Sequence, residues 1–400
     1  MELIAQRILN LSESETLAMT RRCRELAAQG VEVINLSIGE PDFNTPEHIK
    51  EAAIKAIHEN KTHYPPVPGY LELRKAICHK LKRDNKLDFT PEQIVVSTGA
   101  KHSIANAIIA LVNSGEEVIL PAPYWVSYKE MVKLARGVAV FVPTTVETDF
   151  KITPEQLEKV ITPKTRVILY SSPCNPTGSV YTRDELQALA EVIARYPDVY
   201  VISDEIYELI NFDSHHESIA QFDAIRKQVI LINGVSKGFA MTGWRLGYLA
   251  APLHVAKACD KLQGQMTSAT SSISQYAALE AMMTDPATST EINEMLRIFN
   301  ERRLKMLEML RTVPGLITNI PKGAFYFFPD VTHYFGKSFG NTKISNACDL
   351  ANYLLDTAHV AVVPGDAFGN PDCIRISYAT SMELLVEAVD RIKKALADLK

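Results

Sequence analysis

Short apolar runs alternate with longer amphipathic stretches along most of this chain. The runs lie at 94–97 (IVVS), 117–120 (EVIL), 138–142 (VAVFV), 166–170 (RVILY), 199–203 (VYVIS) and 229–233 (VILIN). They are rich in Val and Ile and lack the apolar–polar alternation of a half-exposed strand, so they read as strands buried on both faces. Between them, the stretches 101–112, 125–135, 154–161 and 183–195 carry helical spacing. Strands alternating with helices predict a doubly wound α/β unit with a mostly parallel sheet.

After residue 285 the rhythm changes. Residues 287–311 read as one long charged helix, followed by strands at 324–328 and 373–378 and helices at 346–355 and 382–395. This predicts a smaller α+β unit. The first 45 residues lie outside the strand–helix rhythm and are expected to join that unit. The predicted division is therefore 46–285 for a large domain, with 1–45 and 286–400 forming a small one. No repeat, low-complexity tract or long linker interrupts the 400 residues.

Composition narrows the classes. The chain is 46% hydrophobic with 42 basic and 47 acidic residues, a net charge of −5, and has no basic run suited to nucleic acid. Its longest apolar stretches fall well short of the ~20 residues of a membrane span, and its start has neither the apolar core nor the cleavage site of a secretory signal. Six scattered cysteines without a CxxC pair argue against structural zinc or a disulfide framework. The expectation is a cytoplasmic protein with no metal, nucleic-acid or membrane partner.

Ligands of open α/β sheets bind at the carboxyl ends of the strands, so the residues following each run carry the candidate chemistry. After IVVS comes Thr98-Gly99-Ala100-Lys101 and a helix, whose free N–H groups suit a phosphate; the alternative is an ordinary tight turn. After RVILY comes Ser171-Ser172-Pro173-Cys174-Asn175-Pro176-Thr177-Gly178. After VYVIS comes Asp204-Glu205-Ile206-Tyr207, where a buried Asp204 needs a cationic partner or else caps a loop. After VILIN comes Gly234-Val235-Ser236-Lys237-Gly238. Lys237 suits Schiff-base chemistry or is a solvated surface amine. Arg245 suits a phosphate clamp or a surface ion pair. Arg375, inside CIRISYAT, either pairs with a buried acid or awaits a carboxylate ligand. Gly234, Ser236 and Gly238 also match the G-x-S-x-G elbow of serine hydrolases. That reading needs a helix starting at the serine, whereas GFAMTGWRLG is glycine-punctuated. No GxGxxG follows the first strand, which weakens a dinucleotide reading.

The run 234–247, GVSKGFAMTGWRLG, closely resembles the pyridoxal-phosphate attachment signature of class I aminotransferases. Other landmarks stand in family order: Leu36-Ser37-Ile38-Gly39-Glu40-Pro41-Asp42-Phe43, Tyr64 before Pro68-Gly69, Pro123-Tyr124-Trp125, Ser172 to Gly178, Ser203 to Tyr207, and Arg375-Ile376-Ser377. The resemblance covers nearly the whole chain. It implies fold type I, a pyridoxal 5′-phosphate cofactor, and a homodimer with active sites at the subunit boundary.

The resemblance also implies roles. Lys237 forms the Schiff base with the cofactor and later moves the proton. Asp204 pairs with the pyridinium nitrogen, which preserves the ring as an electron sink. Tyr207 and Asn175 bond the phenolic oxygen, and Trp125 stacks on the ring. Arg245, the helix start at Gly99, Ala100 and Lys101, and Ser236 hold the phosphate, with Tyr64 reaching the neighbouring subunit's phosphate. Many family members have Ser where this chain has Gly234, which removes one phosphate contact. Arg375, the Gly39 backbone and Asn175 take the substrate α-carboxylate. Lys101, with Ser14 and Thr16, is similar to the arrangement in bacterial and plastid aspartate aminotransferases, some of which also use prephenate. That predicts a dicarboxylate substrate; the alternative is that only the Lys101 backbone matters. Other fold type I enzymes (an aromatic or alanine aminotransferase, or a lyase) and a non-catalytic cofactor-binding regulator are the competing readings.

Overall fold

The computed structural model describes residues 4–13, 15–212 and 215–400. Its largest sheet has seven strands: β1 (Ile94–Ser97), β2 (Glu117–Ala122), β3 (Val138–Pro143), β4 (Thr165–Ser171), β5 (Tyr200–Asp204), β6 (Val229–Gly234) and β7 (Gly247–Ala250). The order across the sheet is β1-β7-β6-β5-β4-β2-β3. Every neighbouring pair is parallel except those of β7, which runs antiparallel to β1 and β6. All six apolar runs of the sequence are strands here. The seventh, β7, was not anticipated: its four residues follow a glycine-punctuated turn and form no apolar run.

Five of the six runs are buried on both faces as expected, but the edge strand β3 is not: only Val142 is buried there, and Val138 and Phe141 are exposed because no strand pairs beyond it among the described residues. In the other five the double-sided burial has a direct cause. Successive residues point to opposite faces, so Val201 joins one core and Ile202 the other. On one face, Leu186, Leu189 and Ala190 of helix Arg183–Ile193 and Ala277 and Ala278 of helix Ser272–Met283 cover the sheet. On the other, Ile104, Ala107 and Ile108 of helix Ala100–Leu111 and Val255, Ala256 and Cys259 of helix Leu253–Met266 do so.

A third core gathers Phe325, Tyr326, Phe327, Ile374, Ile376, Leu385, Val389 and Ile392 with Ile34 and Leu36. Its antiparallel sheet has the order Val363–Pro364, Ile374–Ser377, Tyr326–Phe327. Ile34–Asn35 pairs in parallel with Val360–Ala361, which ties the N-terminal segment to this later part of the chain. The long helix is Thr290–Leu310, beginning where the Ser289 side chain caps the Ile292 N–H. The helix expected at 346–355 is Ala347–Tyr353 followed by one wider turn, Leu354–Ala358.

Register positions the strand ends together. Ser171 is level with Asp204, Asp204 with Ile232, and Gly234 with Gly247, which in turn pairs with Ser97. The turns leaving β1, β4, β5 and β6 therefore open on one edge of the sheet.

Candidate active site

At that edge lies a cavity of about 350 Å³. Gly39, Ala100, Lys101, Trp125, Asn175, Asp204, Tyr207, Ser236, Lys237, Arg245 and Arg375 all line it. Gly99 stands directly behind, and giving it a Cβ would place that atom 2.7 Å from an Arg245 guanidinium nitrogen. Its φ of 84° starts the helix Ala100–Leu111 with a sharp turn that glycine adopts freely. One expected residue lies elsewhere, and two more cannot be placed. Tyr64 is 95% exposed and outside the cavity lining. Ser14 and the Thr16 side chain lie outside the described residues, although Thr16 itself belongs to helix Glu15–Ala28.

Asp204 ends β5 with its carboxyl buried. The Tyr128 hydroxyl donates to one oxygen at 2.6 Å and the Ile206 N–H to the other at 3.3 Å. Burial pushes its pKa up to about 6 against these two bonds. Two donors leave acceptor capacity unused on a carboxylate. A cationic N–H would complete it.

Lys237 projects from the turn after β6 and donates to the Gly39 carbonyl at 2.5 Å. Burial lowers its pKa to about 8; nearby Glu40 opposes this, while Arg375 and Arg245 add to it. The amine is thus uncharged in a far larger share of molecules near neutral pH than an ordinary lysine, as a nucleophile requires.

Arg375 resolves the choice left open by the sequence. Among the described residues no acid pairs with it. Its Nη1 donates to Asn175 Oδ1 at 3.0 Å and its Nη2 to the Ser37 carbonyl at 2.6 Å, while Nε is buried without a partner. The rings of Tyr326 and Phe368 flank it at 4.6 and 5.0 Å. A buried guanidinium held only by neutral acceptors retains its full charge for an incoming anion. Tyr207 pairs hydroxyl to hydroxyl with Tyr326 at 2.8 Å, and burial pushes the Tyr207 phenol up. Lys101 holds its ammonium 4.9 Å over the Trp125 ring; burial and the charge of Arg245 lower its pKa.

The segment 37–45 crosses the site as a strap. Beyond Gly39, Thr242 hydrogen-bonds Glu40, Arg302 grips Asp42 through two bonds of 2.7 Å, and Thr45 donates to the Ala240 carbonyl. Sequence reasoning missed Tyr128, Tyr326, Glu40 and Thr242. Only Tyr128 left a signal, one helical turn beyond Trp125. The serine-hydrolase reading finds no support: turns and a short 3₁₀ segment, Thr242–Trp244, follow Ser236 instead of a helix.

A family model described as class I and II aminotransferases matches residues 31–392. The chain is 48% identical over 399 residues to the bifunctional aspartate aminotransferase and glutamate/aspartate-prephenate aminotransferase of Petunia hybrida, covering 99% of this chain and 83% of that one. It is 46% identical over 402 residues to the aspartate/prephenate aminotransferase of Cereibacter sphaeroides, covering 100% of both. The crystal structure of the Rhizobium meliloti aspartate aminotransferase superposes with a TM-score of 0.96 at 40% identity, over 99% of each chain. That of the Thermus thermophilus aspartate aminotransferase with maleate gives 0.93 at 39%, over 99% and 100%. Because the matched span runs from before Gly39 to beyond Arg375, it takes in every residue that lines the cavity, and the chain belongs to the class I and II aminotransferases.

Proposed function

We propose that this aminotransferase moves the amino group between aspartate or glutamate and the 2-oxo acids 2-oxoglutarate or oxaloacetate, using pyridoxal 5′-phosphate. The observation that carries the substrate class is a pair of cationic poles in one cavity. Among the described residues, buried Arg375 lacks an acid and Lys101 is parked on an aromatic ring without one. One pole suits the α-carboxylate common to all amino acids, the other a distal carboxylate. Relatives named for aspartate and prephenate, and a similar structure with the dicarboxylate maleate, support the same reading. Prephenate, a larger dicarboxylate, would use the same two poles.

The residues fit the cofactor. Asp204 has spare acceptor capacity, and buried Ser171 lines the cavity beside it. Arg245 stands against the glycine that begins the helix. When bound, pyridoxal 5′-phosphate supplies an aldehyde carbon and an electron-accepting pyridine ring. Asp204 would hold the proton on the ring nitrogen, and Tyr207 and Asn175 would bond the phenolic oxygen. Trp125 would cover the ring. Arg245, the N–H groups at Gly99–Lys101 and Ser236 would hold the phosphate. Lys237 would carry the cofactor at rest and afterwards take the proton from the substrate α-carbon and return it at the adjoining position. Gly39 and Arg375 would orient the α-carboxylate. By the resemblance, Ser14 and Thr16 would supply hydroxyls to the distal carboxylate.

This reading also carries a large unit of 46–285 and a small one of 1–45 with 286–400. It carries a homodimer, in which the exposed Tyr64 serves the other subunit, and a cytoplasmic setting consistent with six free cysteines.

The test is steady-state kinetics with acidic and neutral donors. A charge-assisted contact of ~2–4 kcal/mol predicts that Lys101→Ala lowers kcat/KM for aspartate and glutamate roughly 30- to 1000-fold. Alanine and phenylalanine should change far less, whereas Arg375→Ala should damage every donor. Equal losses for acidic and neutral donors in Lys101→Ala would overturn the dicarboxylate assignment.

A further inference from the structure

Behind Asp204, on the side of β5 away from the cavity, lies a second buried polar cluster for which transamination gives no role. Glu205 is 1% exposed and accepts hydrogen bonds from Ser203 Oγ at 2.9 Å and Ser218 Oγ at 2.7 Å. His216 Nε2 meets its other oxygen at 2.9 Å. One turn on, buried Glu208 contacts the Lys80 ammonium and accepts from Asn85 Nδ2 at 3.0 Å. Lys80, from helix Leu71–Asn85, also donates to Asn85 Oδ1 at 2.8 Å and stands 4.0 Å from Asp84, which Arg83 pairs at 2.5 Å. Tyr248 of β7, Tyr170 of β4 and Cys78 complete the surroundings, each with its acidity suppressed by burial.

The charges decide what this cluster is. Arg83 balances Asp84. Among the described residues Glu205 and Glu208 then face one fixed cation, Lys80, and an isolated buried carboxylate is expensive. Among the described residues the count closes when His216 carries a proton on both nitrogens, Nε2 toward Glu205 and Nδ1 buried without a partner among them, with His215 beside it against the Asp84 carbonyl. Its chemistry agrees: burial alone would lower its pKa, but the charge and hydrogen bond of Glu205, with Glu208 beyond, override burial and raise it. Glu205, Glu208 and His216 could also be read as metal ligands, their donor atoms lying within 4.8 Å. The Lys80 ammonium already takes the cation's place there.

Glu205 is the residue after Asp204, and its negative charge, together with the larger effect of burial, holds the Asp204 carboxyl up. We propose that His216, with Lys80, is a positioning residue for the reaction: it neutralises the Glu205–Glu208 pair behind β5, so that Asp204 faces the cavity as a carboxylate. The proposal rests on the reading that Asp204 is the acid that holds the ring-nitrogen proton.

The test needs measurements that do not depend on turnover. In uniformly ¹⁵N-histidine-labelled protein, His216 signals, assigned by their loss in His216→Gln, should show a doubly protonated ring at pH 7. In ¹³C-carboxyl aspartate-labelled protein, the Asp204 signal, assigned with Asp204→Asn, should titrate about one pH unit higher in His216→Gln than in the wild type. It should return towards the wild-type value in Glu205→Gln/His216→Gln, where both charges are gone. In the holoenzyme, His216→Gln should lose roughly three-fold in kcat at pH 6.5 with KM little changed, and recover by pH 8.5. If His216→Gln does not fold, Glu205→Gln alone should move Asp204 downward. A neutral His216 at pH 7, or an Asp204 titration unmoved by either variant, would overturn the proposal. If the wild type shows these titrations but does not transaminate, the assignment of the reaction fails and the charge network stands.

Discussion

Asp204 shows how a single residue trades stability for chemistry. Its carboxyl has a folded-state pKa of about 6 against an ordinary 3.8, chiefly because of burial. An acid raised on folding favours the folded state below its unfolded value, and that contribution is lost as pH rises through the folded value. The interval corresponds to a cost on the order of 3 kcal/mol at pH 8 for keeping the charged form buried. Asp204→Asn removes the charge and keeps an acceptor for Tyr128. The cofactor-free variant should therefore resist urea more than the wild type at pH 8, by up to that amount, and lose the advantage as pH falls from 6 to below 4. A variant less stable than the wild type at pH 8 would make Asp204 a structural acid. The proposed reaction supplies a reason for retaining the cost, since a cationic ring nitrogen relieves it.

At the scale of elements, β7 and helix Ala100–Leu111 shape the end of the site proposed for the cofactor phosphate. Gly247 pairs with both Ser97 and Gly234, and a Cβ there would collide with the Ala100 nitrogen and the Gly99 carbonyl carbon. Backbone against backbone leaves no side chain to move aside. Gly247→Ala should push the helix start off the sheet, costing ~1–3 kcal/mol in stability and weakening cofactor retention about ten-fold or more. Gly243→Ala, which meets open space, is the matched control and should do neither. Dialysis of the holoenzymes followed by cofactor absorbance checks both, and equal retention would separate the helix start from phosphate binding. Legibility in the sequence follows the same physics. Strands such as VILIN announce themselves because both faces are buried, and their polar ends could then be read as site residues. The strand GYLA is as short as IVVS but lacks its run of Val and Ile, and is set by its two neighbours. Tyr128 and Tyr326 sit within a helix and a two-residue strand, where an aromatic residue looks like core. Arg375 could be placed in a strand but not told apart from a buried ion-pair arginine, because its lack of an acid is a three-dimensional fact.

The whole molecule carries a net charge of −5, yet its cavity gathers Lys101, Lys237, Arg245 and Arg375 against Glu40 and Asp204. A cofactor phosphate would occupy Arg245, leaving Arg375 and Lys101 for the substrate. An anionic surface with a cationic well steers anions over distances comparable to the Debye length, about 8–10 Å at 0.10–0.15 M salt. Encounter with a substrate of net charge −1 should then be sensitive to ionic strength. Raising sodium chloride from 20 to 300 mM should lower kcat/KM for aspartate several-fold and scarcely alter it for alanine, whose net charge is zero. Sulfate should depress aspartate turnover more than chloride at equal ionic strength, because a divalent anion competes for the same well. An aspartate rate indifferent to salt would mean that the well does no steering. If Arg375 and Lys101 are the cations left for the substrate, the choice of buffer becomes part of the enzyme's apparent affinity.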